Sequence, residues 1–292
     1  MSVKIKNFGG KWTTQKLDAF EKYVQVYLTI MNKNRDKYNW KLIYFDGFAG
    51  SGINEIEIET EKKLLFDIEP NEILLYKGAA ERVLKIEKRG FDYYYFINKD
   101  EDAHLELQNK LSKIKHQGKL EFRLDDANNQ IQELSKYMSK KKSYTRALVL
   151  LDPFGMQVNW SSIELLKDIN VDLWILIPSG VIVNRLLDKK GKLDYKDKLT
   201  SFFGLTENEI REHFYQNEIN NTIFGDETVT RKQDEPIKRI TDLYIKRLKT
   251  IFKEVPDQPL TLLNTKGCPI FHFAFASQNT TAKKIATYII GT

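Results

Sequence analysis

Apolar residues near the start of the chain recur at helical spacing. Between residues 12 and 31 these apolar positions are Leu17, Phe20, Val24, Tyr27, Leu28 and Met31. Their spacing matches one face of an α-helix and therefore predicts an amphipathic helix, which Thr13 or Thr14 can cap at its start.

Further along, apolar residues gather into short runs that each predict a buried strand. The runs cover residues 41–45, 93–97, 120–124, 147–151 and 173–177. Helical stretches follow around residues 79–87, 101–114, 128–139 and 161–168. Strands that alternate with helices are typical of a parallel sheet with helices on both faces. The pattern therefore predicts an α/β fold with a Rossmann-like sheet.

The end of the chain departs from this alternation. Two apolar runs flank Thr265, Lys266 and Gly267, which predicts a hairpin. Its second strand, residues 270–276, would be antiparallel to the sheet, and a short helix would follow. The predicted sheet is thus mostly parallel, with its last strand antiparallel.

Two segments interrupt the predicted sheet. Residues 53–77 form an acidic, strand-poor insertion. Residues 185–258 are charged and helical in pattern, with an irregular stretch at 217–236. We therefore expect an α/β core of residues 1–184 and 259–292, with an inserted helical subdomain at 185–258.

Polar side chains stand where four of the predicted strands end. They are Asp46, Asn98, Asp126 and Asp152. In open α/β sheets ligands bind at the carboxyl ends of the strands, so these four residues mark the expected site.

The first of these strand ends opens a glycine-rich turn, residues 46–52, with the sequence DGFAGSG. Glycine permits positive φ and lets the backbone approach a ligand closely. The dinucleotide pattern G-x-G-x-x-G is absent, and so is the Gly-Lys-Ser/Thr of a phosphate-binding loop. The alternative interpretation is an ordinary strand-to-helix turn.

The fourth strand end carries Asp152, Pro153, Phe154 and Gly155. The lone pair of an exocyclic amine on a base is delocalised into the ring, so the amine is a poor nucleophile. The Asp152 carboxylate and the Pro153 carbonyl could hold both N–H groups and direct the lone pair at a methyl donor. Phe154 could stack on an unpaired base. The alternative is a strand-ending turn with Phe154 in the core.

Several long stretches resemble one family, the three-Cys-motif partner proteins. They are KLDAFEKYVQVYLTIM, YFDGFAGSG, residues 77–80, YYYFINKD, LDDAN, LLDPFGMQVNW, VDLWILIPSGVIVNRLL and PIFHFAFAS. The resemblance covers most of the chain and is weakest between residues 190 and 258. The family is similar to class I S-adenosylmethionine-dependent methyltransferases and is named for association with a separate protein bearing three cysteines. The Asp-Pro-Phe-Gly motif also resembles that of tRNA guanine-N2 methyltransferases.

The resemblance implies roles for individual residues. The methionine moiety of S-adenosylmethionine would be wrapped by the glycine turn, namely Asp46, Gly47, Phe48, Ala49, Gly50 and Gly52. Asn98 stands where the family has an acidic residue for the ribose, and Asp100 could compensate. Asp126 would approach the adenine, with Asp125 as the alternative. Lys11, Trp12 and Lys16 could cover the cofactor or touch nucleic acid, and an ordinary helix start is an equal interpretation.

Composition narrows the choice of function. The chain has 292 residues, a net charge of +6 and two basic runs, 140–142 and 189–192, which could contact phosphates or simply be solvated. No apolar run is long enough to span a bilayer and no secretory signal is evident, so we expect a cytoplasmic protein. The single cysteine, Cys268, predicts a packed thiol near a turn. The four histidines are scattered, and no metal is expected.

The sequence therefore favours an S-adenosylmethionine-dependent methyltransferase that acts on an exocyclic amine of a nucleic-acid base, in DNA or RNA. The alternative is a non-catalytic, methyltransferase-like module that acts with a partner protein, for which Asn98 is the motivating feature. A nucleotide-dependent hydrolase is disfavoured because the phosphate-binding loop and metal ligands are missing.

Overall fold

The computed structural model describes residues 11–50, 78–222 and 225–292. Its strands are β1 (Lys41–Asp46), β2 (Tyr93–Asn98), β3 (Lys119–Leu124), β4 (Thr145–Leu151), β5 (Val171–Ile177), β6 (Tyr215–Thr222), β7 (Gly225–Lys232), β8 (Leu260–Leu263) and β9 (Pro269–Ser277). Its helices are α1 (Lys11–Tyr38), α2 (Gly78–Leu84), α3 (Glu101–Leu111), α4 (Ala127–Lys140), α5 (Trp160–Glu164), α6 (Asn184–Leu186), α7 (Lys196–Phe203), α8 (Glu207–Phe214), α9 (Pro236–Leu248) and α10 (Thr280–Ile290). A π-helical turn, Ser179–Val183, leads into α6. The predicted insertion at 53–77 lies outside the described residues, as does Gly52.

Seven of the described strands form one sheet in the order β3-β2-β1-β4-β5-β9-β8. Strands β1 to β5 pair in parallel, and β9 pairs antiparallel with both β5 and β8. The Rossmann-like sheet with an antiparallel last strand is therefore confirmed. This order reverses direction between β1 and β4, which is where α/β sheets open a crevice for a ligand.

Helices cover both faces of this sheet, and β9 shows how. On one face Phe273 packs against Phe20 of α1 with ring centroids 6.4 Å apart. The residue before it in the strand, His272, points to the opposite face of the sheet, where its Nδ1 lies 3.1 Å from the hydroxyl of Thr241 of α9. Because neighbouring side chains of a strand point to opposite faces, α1 and α9 lie on opposite sides of the sheet.

The centre of the sheet is buried on both faces, which explains the continuous apolar runs of the sequence. Every residue of β5 is buried, and Trp174 is 0% exposed between Phe20, Tyr23 and Phe275. Strands covered on both faces need apolar side chains at every position rather than at alternate ones.

The segment 185–258 differs from its helical prediction. It contains α6 to α9, but β6 and β7 form an antiparallel hairpin across the stretch predicted to be irregular. The hairpin stands outside the main sheet and its strands are largely polar, so the sequence carries no apolar alternation that would have revealed it.

The same segment shares the core of the sheet. Leu199, Phe203, Ile240 and Leu248 belong to the same hydrophobic cluster as β5. The ammonium group of Lys232 fastens the hairpin by donating to the carbonyls of Asn184 and Leu187, each at 2.6 Å. The division of the chain into a core and an inserted subdomain stays a prediction.

None of the described helices is long and apolar enough to cross a lipid bilayer. Cys268 lies in the turn between β8 and β9, as predicted, but it is exposed rather than packed.

Candidate functional site

The parallel register brings the predicted strand ends to one edge of the sheet. Asp46 pairs with Leu150 on one side and with Phe96 on the other. Asp152 and Asn98 therefore each lie two residues beyond Asp46, on the two strands that flank it. Asp126 follows β3 in the same way, because Asn98 pairs with Leu124.

The glycine turn after β1 is held between the two neighbouring strands. The N–H of Gly47 donates to the Leu150 carbonyl and that of Ala49 to the Ile97 carbonyl, both at 2.9 Å. A Cβ on Gly47 would lie 2.7 Å from Leu151, so this turn packs too closely for a side chain there. Gly50 has a φ of +98°, which disfavours any other residue. Phe48 is partly buried against the core.

Asn98 is committed to this turn. Its Nδ2 donates to the Ala49 carbonyl at 2.9 Å, and its Oδ1 accepts from the N–H of Asp100 at 2.8 Å. The side chain is 97% buried, being 3% exposed. A Cβ on Gly50 would lie 2.7 Å from the same Nδ2. Asn98 therefore fixes the shape of the glycine turn, and an aspartate could not donate this hydrogen bond.

Asp100 is also engaged, because its side chain caps α3 by accepting from the N–H of Ala103 at 2.7 Å. Asn98 carries no charge and holds backbone groups, so the carboxylate oxygen of Asp100 that does not cap α3, Oδ2, is the acidic oxygen left at the end of β2.

Asp46 is a buried carboxyl at the mouth of the turn. It accepts from the Phe48 N–H and from the Tyr44 hydroxyl, both at 3.2 Å, and is 3% exposed. Burial raises the pKa of Asp46 to about 7, and the nearby negative charge of Asp152 adds to the rise.

Asp152 forms a buried ion pair with a residue from α1. Lys16 Nζ lies 2.5 Å from Asp152 Oδ2, and the two residues are 1% and 5% exposed. Burial lowers the pKa of Lys16, against the pull of Asp152 and Asp46. The other oxygen, Oδ1, is buried and accepts no hydrogen bond from the described residues. A buried carboxylate oxygen without a donor is costly unless a ligand supplies one.

The rest of the Asp-Pro-Phe-Gly segment is buried. The N–H of Phe154 donates to Gln157 Oε1 at 3.1 Å, which closes the turn. The Phe154 side chain is 5% exposed and belongs to the hydrophobic core, while Pro153 and Gly155 are buried beside it. Stacking of Phe154 on a base stays a prediction, and it requires the ring to leave this position.

Asp126 and Asn128 connect the third strand end to the loop after Asp152. Asp126 caps α4 and accepts from the Asn128 side chain at 2.9 Å. Asn128 in turn donates to the Gln157 carbonyl at 2.9 Å and accepts from Ser162 at 2.8 Å. Asp125 binds Gln130 and Asn129 instead. One network therefore sets the position of both segments.

The sequence named Lys16 only as part of a helix start that could cover the cofactor or touch nucleic acid, and it gave Asn128 no role. Lys16 lies one turn from both Trp12 and Phe20, which are buried. A lysine on the apolar stripe of a helix indicates that an acidic partner is buried with it. The helical spacing of Lys16 from Trp12 and Phe20 therefore pointed to such a partner. Asn128 carried no such signal, since its partners lie 29 and 34 residues away in sequence.

The two basic runs lie at opposite ends of the molecule. Residues 140–142 begin at the last residue of α4 and precede β4, at the amino-terminal edge of the sheet. Residues 189–192 come after β5 and α6, and the N–H of Lys232 donates to the Lys189 carbonyl. Only the second run lies on the side of the strand ends described above.

Within residues 11–50, 78–222 and 225–292, no group of three histidine, cysteine or acidic side chains is arranged to hold a metal ion.

The chain resembles solved structures of known proteins. No protein-family model matches the chain, and no curated protein matches it. A crystal structure from Clostridium thermocellum, described as that of a "putative rRNA-methylase", matches 70% of this chain and 97% of its own. The two are 12% identical, with a TM-score of 0.27.

Proposed function

We propose that this protein is an S-adenosylmethionine-dependent methyltransferase that acts on an exocyclic amine of a nucleic-acid base. The observation that carries the proposal is Asp152 Oδ1, a buried acceptor at the switch point of the sheet to which none of the described residues donates. Such an atom is suited to hold the N–H of a substrate amine.

The residues around Asp46 and Asp152 fit the charge of the cofactor. Two buried carboxyl groups face one buried ammonium group, Lys16, so the cluster has an excess of negative charge when both carboxyls are ionised. S-adenosylmethionine carries a sulfonium and an amino group, and its positive charge would offset that excess. The glycine turn, whose Gly47 and Gly50 leave no room for a Cβ, would let the backbone approach the methionine moiety.

When bound, S-adenosylmethionine supplies a methyl group on an activated sulfonium leaving group. The chain itself would supply orientation. Asp152 Oδ1 and the Pro153 carbonyl would each accept one N–H of the amine, which turns its lone pair away from the ring. Lys16 would hold Oδ2 and fix the position of the carboxylate. As the nitrogen gains the methyl group, one of its N–H protons would pass to Oδ1.

The nucleic-acid substrate and the partner are part of the proposal. Exposed lysines at 189, 190 and 192 follow the reactive edge and suit a phosphate backbone. The resemblance to the three-Cys-motif partner family supports association with a three-cysteine protein. A cytoplasmic location would fit both.

The test is transfer of labelled methyl from S-adenosylmethionine to pools of DNA, tRNA and rRNA. We expect Asp152→Asn to lower transfer by about 100-fold or more, because it removes an acceptor that acts in the transition state. Binding of S-adenosylhomocysteine should persist in this variant.

Asp168→Asn is the matched control. It makes the same chemical change at an exposed residue that precedes β5, at the opposite edge of the sheet. The φ of +58° at this position suits asparagine, so the fold should tolerate the change. Label transfer that is unchanged in Asp152→Asn would refute the role of this carboxylate. No transfer to any pool by the unmodified protein would refute the substrate class.

One observation favours a second candidate, a non-catalytic module. Asn98 is uncharged and hydrogen-bonds to the backbone, and one oxygen of Asp100 caps α3, so the end of β2 would offer the ribose hydroxyls a single carboxylate oxygen, Asp100 Oδ2. Calorimetry separates the two candidates. Micromolar binding of S-adenosylmethionine supports the enzyme, whereas binding weaker than millimolar supports the module.

A further inference from the structure

A second cavity lies at the opposite edge of the sheet. It has a volume of about 420 Å³ and is bounded by α1, α10 and the amino ends of β4 and β5. Pockets of this size hold small organic molecules. Because the cavity lies at the amino ends of the strands and Asp152 at the carboxyl ends, it is separate from the site proposed above.

Most of its wall is apolar. Ile30, Met31, Val171, Ala282 and Ile285 line it, together with the ring of Trp40. Polar side chains border it as well, namely Asn34, Asn170, Gln278, Asn279 and Thr281. The apolar part of the wall, between α1 and α10, suits the hydrocarbon or aromatic body of a ligand.

Arg146 is the cationic side chain of the lining. Its guanidinium carbon lies 4.4 Å from the centre of the Trp40 ring. Nη1 donates to the carbonyls of Lys142 and Thr145, at 3.2 and 2.8 Å. Among the described residues Nε and Nη2 have no acceptor, and no carboxylate pairs with Arg146. This edge of the guanidinium matches the two oxygens of a carboxylate.

A buried hydroxyl stands beside it. Tyr27 lines the cavity at 4% exposure, and its hydroxyl has no hydrogen-bond partner among the described residues. Asp172 does not serve it, because its two oxygens accept from Tyr23 at 2.7 Å and Ser277 at 2.5 Å. An unpaired buried hydroxyl indicates that a polar group of a ligand is missing.

We infer that this cavity binds a small monocarboxylate with an apolar body. The carboxylate contacts the open edge of Arg146, the Tyr27 hydroxyl donates to it, and the apolar body fills the space between α1 and α10. A single positive side chain, with the acidic Asp172 nearby, favours one negative charge over the two of a phosphate monoester.

The inference is tested by calorimetry on the full chain at pH 7.5 with octanoate, phenylacetate and benzoate, each compared with its neutral amide. We expect saturable binding of at least one carboxylate, about tenfold tighter than its amide, because a charged hydrogen bond to Arg146 is lost in the amide. Arg146→Gln should abolish that difference, and Tyr27→Phe should weaken carboxylate binding several-fold.

Two controls sharpen the test. Lys33→Gln removes an exposed positive charge from α1 outside the cavity and should change nothing. Ala282→Leu fills the space while keeping every charge, so it should abolish binding even where Arg146→Gln does not fold.

The inference fails if no carboxylate binds below about 10 mM, or if carboxylate and amide bind alike. It also fails if binding survives in Ala282→Leu, or if Lys33→Gln acts as Arg146→Gln does. Saturating S-adenosylhomocysteine should not displace the carboxylate, so this result does not depend on the proposed methyltransferase activity.

Discussion

Asp46 is the residue whose chemistry sets the electrostatic state of the proposed cofactor site. It is almost fully buried and receives two long hydrogen bonds from the residues that the structure describes, so its ionised form is poorly solvated. Its pKa of about 7 means that it changes charge within the physiological range. The site therefore holds a proton that a cationic ligand can displace.

Replacing Asp46 should raise the stability of the fold while it weakens binding of the cofactor. The folded pKa of about 7 exceeds the ordinary value of 3.8, so the folded protein binds this proton more tightly than the unfolded chain. The resulting destabilisation is absent below pH 4, grows as pH rises, and is complete above pH 7. Asp46→Asn should raise the free energy of unfolding at pH 8 by about 2–4 kcal/mol and leave it nearly unchanged at pH 4.

Urea denaturation of both proteins at the two pH values measures this difference. A proton on Asp46 removes the negative charge that would attract the sulfonium, so the affinity for S-adenosylmethionine should rise from pH 6 to pH 8 and then level off. Asp46→Asn should bind weakly with no such dependence. Equal stability of the two proteins at pH 8 would contradict the assigned burial cost.

At the scale of elements, α1 joins the sheet to the proposed reaction site. Its buried stripe packs on the aromatic side chains of β5 and β9, and Lys16 extends the stripe to Asp152. The helix therefore carries a counter-charge that the strands do not supply. In the same helix, Tyr27 borders the cavity at the other edge.

Lys16→Met should destabilise the protein by about 3 kcal/mol at pH 8, because it leaves Asp152 charged and unpaired in the interior. Lys16→Met combined with Asp152→Asn should recover most of the stability, since no buried charge then remains at the pair.

Denaturant unfolding of the single and double variants completes a double-mutant cycle. Lys22→Met, an exposed change on the same helix, should cost less than about 0.5 kcal/mol. Additive effects of Lys16→Met and Asp152→Asn would contradict the ion pair.

At the scale of the whole molecule, the sheet separates two sets of lysines that look alike in sequence. Residues 140–142 and 189–192 each offer three exposed lysines, yet they lie at opposite edges. Residues 189–192 follow the carboxyl end of β5 and contact the hairpin through the backbone of Lys232.

Changing Lys189, Lys190 and Lys192 together to glutamine should weaken binding of mixed tRNA and lower the salt slope of log K by about 2. The same change at Lys140, Lys141 and Lys142 removes an equal charge and should have little effect. Filter binding across a salt series measures both. Equal losses in the two triple variants would show a non-specific charge effect.

The sequence by itself determined the α/β order of elements, because strands covered on both faces must be apolar throughout and amphipathic helices must repeat at their own period. It also located Asp46, Asn98, Asp126 and Asp152, since parallel strands end at a common edge. It missed the β6–β7 hairpin, whose polar strands bury too little to leave a pattern.

Only the tertiary structure decided what these side chains do. Asn98 locks the glycine turn, Lys16 pairs with Asp152, and Phe154 lies in the core. Such contacts depend on distances between residues far apart in sequence, which no local pattern records. The same is true of Asp152 Oδ1, which α1 helps to bury and which accepts no hydrogen bond within the described part of the chain.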